Sequence, residues 1–208
     1  MRFALVLTSV VWLSTPVWAQ LASYSANGVT AGQLSLTNSA ASVTGLGVGG
    51  LSGSNITATT TGTTFQGIGF TATSAPTGFG NAQGYRLVLT PTVNGTLNLS
   101  GLTFAGTSTG PTDFSVVTNI TGPTTVVSTN VGTSGTIALT SLGTAGAVDV
   151  VANTNYDFVL AGYGVAGTFG LTSLSLSGTF TPVPEPATVG LLAAAGLGLV
   201  GFARRRFC

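Results

Sequence analysis

The chain of 208 residues has no lysine and no histidine, and its charged side chains make up only 4% of the sequence. Its single cysteine, Cys208, is the last residue. Ser-His-Asp triads, Cys-His pairs and Ser-Lys dyads are therefore excluded. A chain with so few cations also has no basic face that could neutralise phosphates. We expect a protein that is not an enzyme, has no cofactor and does not bind nucleic acid.

Charge is scarcest in the middle of the chain, which carries only Arg86, Asp113, Asp149 and Asp157. Asp149 and Asp157 each lie out of phase with apolar neighbours, so we expect them to point to solvent on neighbouring strands. With amide oxygens from Asn153 or Asn155 they are weak candidates for a Ca²⁺ site. The other interpretation is that they are solvated strand positions that limit aggregation.

Apolar residues and small polar residues dominate what remains. The hydrophobic fraction is 44%, and there are 31 glycines. From residue 57 to 182, short alternating runs of apolar and polar residues are separated by turn residues, which is typical of strands. Asn94-Gly95 predicts a hairpin turn, and a change of phase at Ser100-Gly101 predicts a β-bulge. We therefore predict an all-β domain over 57–182, a β-sandwich of jelly-roll kind, preceded by a Gly/Ser-rich segment over 20–56.

The first residues have the features of a secretory signal peptide. Arg2 supplies the positive charge, and residues 3–13 are apolar but short for a membrane span. The stretch that ends at Ala19 has small residues at the positions that signal peptidase recognises. We predict a signal peptide over 1–19 with cleavage between Ala19 and Gln20.

The C-terminal residues divide into three parts. Residues 183–186 include Pro184, Glu185 and Pro186, and the two prolines favour a stiff, extended backbone. Residues 187–203 contain no charge and predict a transmembrane helix at the short limit for spanning a bilayer. The tail over 204–208 begins with Arg204, Arg205 and Arg206, which the positive-inside rule keeps in the cytoplasm. The residues before the helix are then translocated.

Pro-Glu-Pro, a short apolar helix and a final arginine cluster, in this order over residues 183–208, resemble the PEP-CTERM sorting signal. Members of that family are sorted by exosortase, a membrane-embedded protease of Gram-negative bacteria that make extracellular polysaccharide. The resemblance implies signal peptidase and exosortase as partners and a transient C-terminal anchor in the membrane. It also implies export across the inner membrane to the cell surface or the extracellular matrix.

For the exported middle of the chain we expect a structural or adhesive role in that matrix. The alternative is a carbohydrate-binding module for the producer's own exopolysaccharide, which would need exposed aromatic side chains. The tyrosines that decide between the two are Tyr24, Tyr85, Tyr156 and Tyr163. Residues 124–129 and 136–142 combine high β-propensity with no charge and no proline, so we also expect self-association through strand edges.

Overall fold

A computed structural model of the chain describes residues 19–122 and 125–183. No helix within these residues has the length and apolar composition needed to cross a membrane. The sorting residues Pro184–Pro186 and Arg204–Arg206 lie outside the described residues, as do residues 1–18 and the predicted helix over 187–203.

The described residues form an all-β structure with one short 3-10 helix, Phe79–Asn81. In chain order the strands are β1 Ala19–Ser25, β2 Ser35–Leu36, β3 Leu46–Val48, β4 Leu51–Ser54, β5 Thr57–Thr60, β6 Phe65–Phe70, β7 Gly84–Pro91, β8 Gly95–Ser108, β9 Asp113–Thr118, β10 Thr125–Val131, β11 Ser134–Ala138, β12 Ala147–Val150, β13 Tyr156–Tyr163 and β14 Gly167–Pro182. They form two antiparallel sheets, and the all-β prediction is confirmed.

Sheet I has the order β11-β8-β14-β6-β5. In addition, β12 pairs with β8 and β1 pairs with β14. Its centre is the long pair β8 and β14. Sheet II has the order β10-β9-β13-β7-β4-β2, with β3 also on β7. From β6 to β11, consecutive strands lie alternately in sheet I and sheet II, except that β9 and β10 both belong to sheet II. Most connections therefore cross from one sheet to the other.

One large apolar core fills the space between the sheets. It contains a group of tilted aromatic rings in which the centroid of Phe114 is 4.6 Å from that of Phe169 and 5.0 Å from that of Phe104. Along β8 the buried set changes phase at Ser100, which has no register partner on β14 because Ser177 pairs with Gly101 and Gly178 pairs with Leu99. The predicted bulge at Ser100-Gly101 is therefore confirmed.

Two local predictions are wrong, because each assumed that consecutive strands are neighbours in one sheet, whereas the chain crosses to the other sheet at both places. Asn94-Gly95 is not a hairpin turn, since β7 lies in sheet II and β8 in sheet I. Asp149 and Asp157 do not lie on neighbouring strands, because β12 is in sheet I and β13 is in sheet II. In both places the apolar faces of consecutive strands meet across the core.

The sandwich also begins earlier than the predicted boundary at residue 57. Strands β2 to β4, and β1 apart from its first residue Ala19, fall within the Gly/Ser-rich segment over 20–56. β1 contributes the fully buried Leu21 and Tyr24 to the core. Gly-rich composition did not prevent strand formation, because these strands are short and each pairs with a longer one or with another short one.

The first and last described residues leave the sandwich at the same end. Ala19 is the register partner of Gly178, close to the end of β14. The backbone N–H of Val183 donates a hydrogen bond of 2.9 Å to the carbonyl of Asn94, immediately before β8. Ala19 and Gln20, the two residues flanking the predicted signal-peptidase bond, lie in β1 and are exposed.

Candidate functional site

The four tyrosines that would identify a sugar-binding face are all buried. Their exposed fractions are 1% for Tyr24, 0% for Tyr85, 7% for Tyr156 and 8% for Tyr163. Every other aromatic side chain within residues 19–122 and 125–183 is buried or half-buried. This part of the chain therefore presents no exposed ring on which a sugar could stack.

Tyr85 instead connects the two sheets. It lies on β7 in sheet II, and its hydroxyl reaches the backbone of sheet I. The hydroxyl accepts a hydrogen bond of 2.8 Å from the N–H of Gly67, and its single proton is shared between the carbonyls of Phe65 and Phe169, which both lie within hydrogen-bond distance. The absence of a side chain at Gly67 makes room, because a Cβ there would lie 2.8 Å from the hydroxyl. Burial raises the pKa of Tyr85 well above its ordinary value.

Tyr24 forms a second connection between the sheets. Its hydroxyl, on β1 of sheet I, donates to the carbonyl of Gly49 between β3 and β4 of sheet II. Burial raises the pKa of Tyr24 from 10.0 to about 12. In the folded state this hydroxyl therefore stays protonated at a pH where a tyrosine of the unfolded chain ionises.

We expect the domain to lose stability in alkaline solution. Because the pKa of Tyr24 is 10.0 unfolded and about 12 folded, its contribution to the free energy of unfolding is complete below pH 10 and is lost as pH rises towards 12. The shift at Tyr85 acts in the same direction. Urea unfolding between pH 8 and pH 11 measures this, with Tyr24→Phe as the comparison. If the free energy of unfolding falls as steeply with pH above pH 10 in Tyr24→Phe as in the parent protein, Tyr24 is not the group responsible for the loss.

The charged side chains of the described residues are dispersed over the sandwich. Arg86 pairs with Asp157 across β7 and β13, with 2.7 Å between a guanidinium nitrogen and Oδ1. Asp149 accepts a hydrogen bond from the hydroxyl of Thr96, and Asp113 accepts one from Thr112. No group of three or more metal-ligating side chains occurs in the part of the chain that the structure describes. The two candidate Ca²⁺ ligands are thus each engaged with a separate neighbour.

A structural feature that sequence analysis missed is an apolar cluster on the outer face of sheet II. Val117, Val159 and Ala161 are fully buried there, although they point away from the main core. Residues 71–83 fold over them, and the side-chain amide of Asn55 holds this loop by donating to the carbonyls of Phe79 and Ala82. Asn55 has a positive φ of 53°, a conformation that asparagine tolerates. The cluster also buries the hydroxyl of Ser115, which has no hydrogen-bond partner.

The uncharged edge of the sandwich is formed by β10 and β11. β10 is the last strand of sheet II, β11 lies at the border of sheet I, and residues 132–133 join them. Ser134, Thr136 and Ala138 on β11 are exposed, whereas Val126 on β10 is half-buried beside Phe79. Among the described strands, none pairs with the outer side of either one. Parts of both segments that we predicted to be association-prone, residues 125–129 in β10 and 136–138 in β11, thus lie on an open edge.

Comparison with known proteins bears on the C-terminal residues. A family model described as the PEP-CTERM protein-sorting motif matches residues 182–206, a range that includes Pro184–Pro186 and Arg204–Arg206. The chain is therefore a protein that carries a PEP-CTERM sorting motif, and the predicted resemblance is confirmed. The motif indicates export and sorting by exosortase to the cell surface or the exterior. Comparisons with curated proteins and with solved structures returned no match.

Proposed function

We propose that the exported domain is a structural component of the cell surface or extracellular matrix and that copies of it associate through the edge formed by β10 and β11. The observation that carries this proposal is the absence of charge along that edge. Strand edges of soluble proteins are commonly protected by charged side chains, by proline or by a covering segment. The described residues of β10 and β11 contain none of the four charged residues of the domain.

The arrangement of the strands supports the same proposal. The orders β6-β14-β8-β11 and β7-β13-β9-β10 are those of a jelly-roll sandwich, to which β1 to β5 and β12 are added. In this arrangement sheet II ends at β10, while sheet I ends at β11 and, further along β8, at β12, which carries the exposed Asp149. The uncharged part of this border is the part that β10 and β11 form, where the two sheets end side by side. A second copy that pairs there can extend both sheets at once, which makes the contact larger than a single strand pair.

A carbohydrate-binding module remains the alternative, but the burial of the four tyrosines removes the feature that would favour it. Sugar sites that use stacking need a ring at the surface. Binding of exopolysaccharide would then depend on polar side chains such as Arg86 and Asp157, which already pair with each other. Self-association is the proposal that the geometry supports better.

We expect Ala138→Lys to reduce association of the mature protein. Ala138 is exposed on β11, so a lysine there adds charge to the edge without disturbing the core. Val126 is a poorer position, because a lysine there would disrupt its packing beside Phe79. Light scattering across a concentration series measures the average mass.

The matched control is Thr181→Lys, which adds the same charge at an exposed position on β14, beyond the residues that pair with β1. This variant should associate like the parent protein. If the parent protein stays monomeric at high micromolar concentration, or if both variants lose association equally, the edge is not the contact.

A further inference from the structure

Strand β1 occupies an unusual place in the sandwich. Among the described strands it pairs with β14 alone, over the register from Ala19 with Gly178 to Ser25 with Ser173. Of the strands that the structure describes, β1 is the first in chain order, and β14, its partner, is the last. During export, β1 therefore reaches the exterior first and has no strand to pair with until β14 has followed.

The position that β1 occupies on sheet I is strongly apolar. Leu21, Ala22 and Ala26 are fully buried, and the side chain of Tyr24 is 1% exposed. The Tyr24 hydroxyl also donates to the carbonyl of Gly49 in the other sheet. Without β1, the groove beside β14 would expose this part of the core to water. The folded sandwich therefore requires some strand of this sequence in the groove.

The connection that follows β1 is suited to a change of direction. Asn27 and Gly28 are exposed, and Gly28 has a φ of 76° with no atom near the place of a Cβ. Beyond this point the chain is held to the edge of β5, where Gly28 N–H and Gly32 N–H donate to the carbonyls of Gly62 and Thr60. Residues 38–39 also hold β1, since the N–H of Ser39 donates to the carbonyl of Ser23 and the N–H of Ser23 donates to Oδ1 of Asn38. A turn about Asn27-Gly28 therefore moves β1 as an arm that leaves these partners and β14, and β1 of a second copy can restore the same bonds.

We propose that β1 exchanges between copies of the mature chain, so that β1 of one molecule pairs with β14 of another. Removal of the leader at Ala19 frees the N-terminal end of this arm. Exchange reproduces the same contacts between molecules that β1 makes within one, so it needs no new complementary surface. High local concentration at the surface of the producing cell favours the exchanged form over the closed one. This inference rests on the proposed self-association and adds a second, distinct contact to it.

A disulfide trap tests the exchange. Ser25 on β1 and Ser173 on β14 are register partners, and both are exposed. All chains carry Cys208→Ser, so the introduced cysteines are the only ones. Chains with Ser25→Cys and chains with Ser173→Cys are given different affinity tags, produced together in the host and treated with diamide. Exchange predicts a disulfide-linked pair that carries both tags. Ser23 and Ser175, which are also register partners, provide a second trap.

Two further variants complete the test. Ser74→Cys chains mixed with Ser173→Cys chains measure chance collisions, because Ser74 is exposed in the loop over sheet II and lies neither beside β14 nor on the edge formed by β10 and β11. In the double variant Ser25→Cys/Ser173→Cys, oxidation of dilute monomer closes β1 onto its own chain. If exchange occurs, this closed form no longer associates through β1, although it can still associate through the edge formed by β10 and β11. Reduction of the disulfide should restore association through β1.

The outcomes distinguish the two contacts. If the double variant closes its internal bond but the mixed chains give no more linked pairs than the Ser74 control, β1 remains in its own molecule and the exchange proposal is overturned. Association through the β10 and β11 edge would still be judged separately, by the light scattering of Ala138→Lys. If closed chains associate as strongly as the parent, exchange contributes nothing to assembly.

Discussion

Replacement of Gly84 by alanine is expected to lower the free energy of unfolding by more than about 3 kcal/mol, because it forces a methyl group into the backbone of the neighbouring strand. Gly84 begins β7 between β13 and β4, opposite Ala161 on one side and Ser54 on the other. A Cβ at this position would overlap the carbonyl of Leu160 and lie 2.8 Å from the Cα of Ala161. Backbone atoms at the centre of a sheet cannot yield as a side chain would.

The matched control is Gly80→Ala in the loop over sheet II, where no atom lies within 4 Å of the added methyl. That change should alter the free energy of unfolding by about 0.5 kcal/mol or less. Thermal and urea unfolding of both variants measure the difference. If Gly84→Ala is as stable as Gly80→Ala, the close approach of β7 to β13 at this point is not as described.

The second large effect is expected from Tyr85→Phe, which removes a hydroxyl and leaves the ring in place. The hydroxyl is buried and serves three backbone groups of sheet I, those of Gly67, Phe65 and Phe169. Removing it leaves these groups without their partner in a dry core. A buried group left unpaired costs about 1–3 kcal/mol, so we expect a loss of about 3 kcal/mol for the set.

Tyr156→Phe is the control for Tyr85→Phe. The hydroxyl of Tyr156 accepts one hydrogen bond of 2.8 Å from the N–H of Val151, at a partly buried site. Its loss should cost about 1 kcal/mol. Urea unfolding at pH 7 compares the two variants. If both variants lose the same free energy of unfolding, the Tyr85 hydroxyl contributes no more to stability than the single hydrogen bond of Tyr156 does.

The strands from β7 onward could be predicted because their alternation is local. Residues 85–90 and 97–104 show the period of two directly, and the bulge at Ser100 is visible as a change of phase. Which sheet each strand joins depends on partners far along the chain. The sequence Asn94-Gly95 therefore predicts a hairpin turn, although β7 belongs to sheet II and β8 to sheet I.

Strand β1 could not be recognised in the same way, because β14, its partner among the described strands, lies at the other end of the domain. The sequence from Ala19 to Ser25 is short, and it adjoins the residues that we predicted to be a signal peptide. The cluster beneath residues 71–83 was missed for a related reason. Val117 and Val159 occupy positions that alternation assigns to solvent, and only the folded loop buries them.

The candidate sites differ in the same respect. Pro184–Pro186 and the arginine cluster form a linear motif, so sequence alone predicted the sorting function that the family model matches. The open edge at β10 and β11 was predicted from the absence of charge, but its position at the border of both sheets needed the topology. The role of the tyrosines was not predictable, because burial depends on the opposite sheet.

Both ends of the described chain leave the sandwich on one side, and this fixes how the domain is presented. β14 has 16 residues, which at about 3.4 Å per residue separates its two ends by roughly 50 Å. The turns over 109–112 and 164–166, with the exposed Val165, lie at the end far from Ala19 and Val183. The predicted leader and the sorting segment would each hold the chain at the end that carries Ala19 and Val183, so either tether would point this same far end away from the lipid. The order in which the two tethers are cut would then leave the outward-facing surface unchanged.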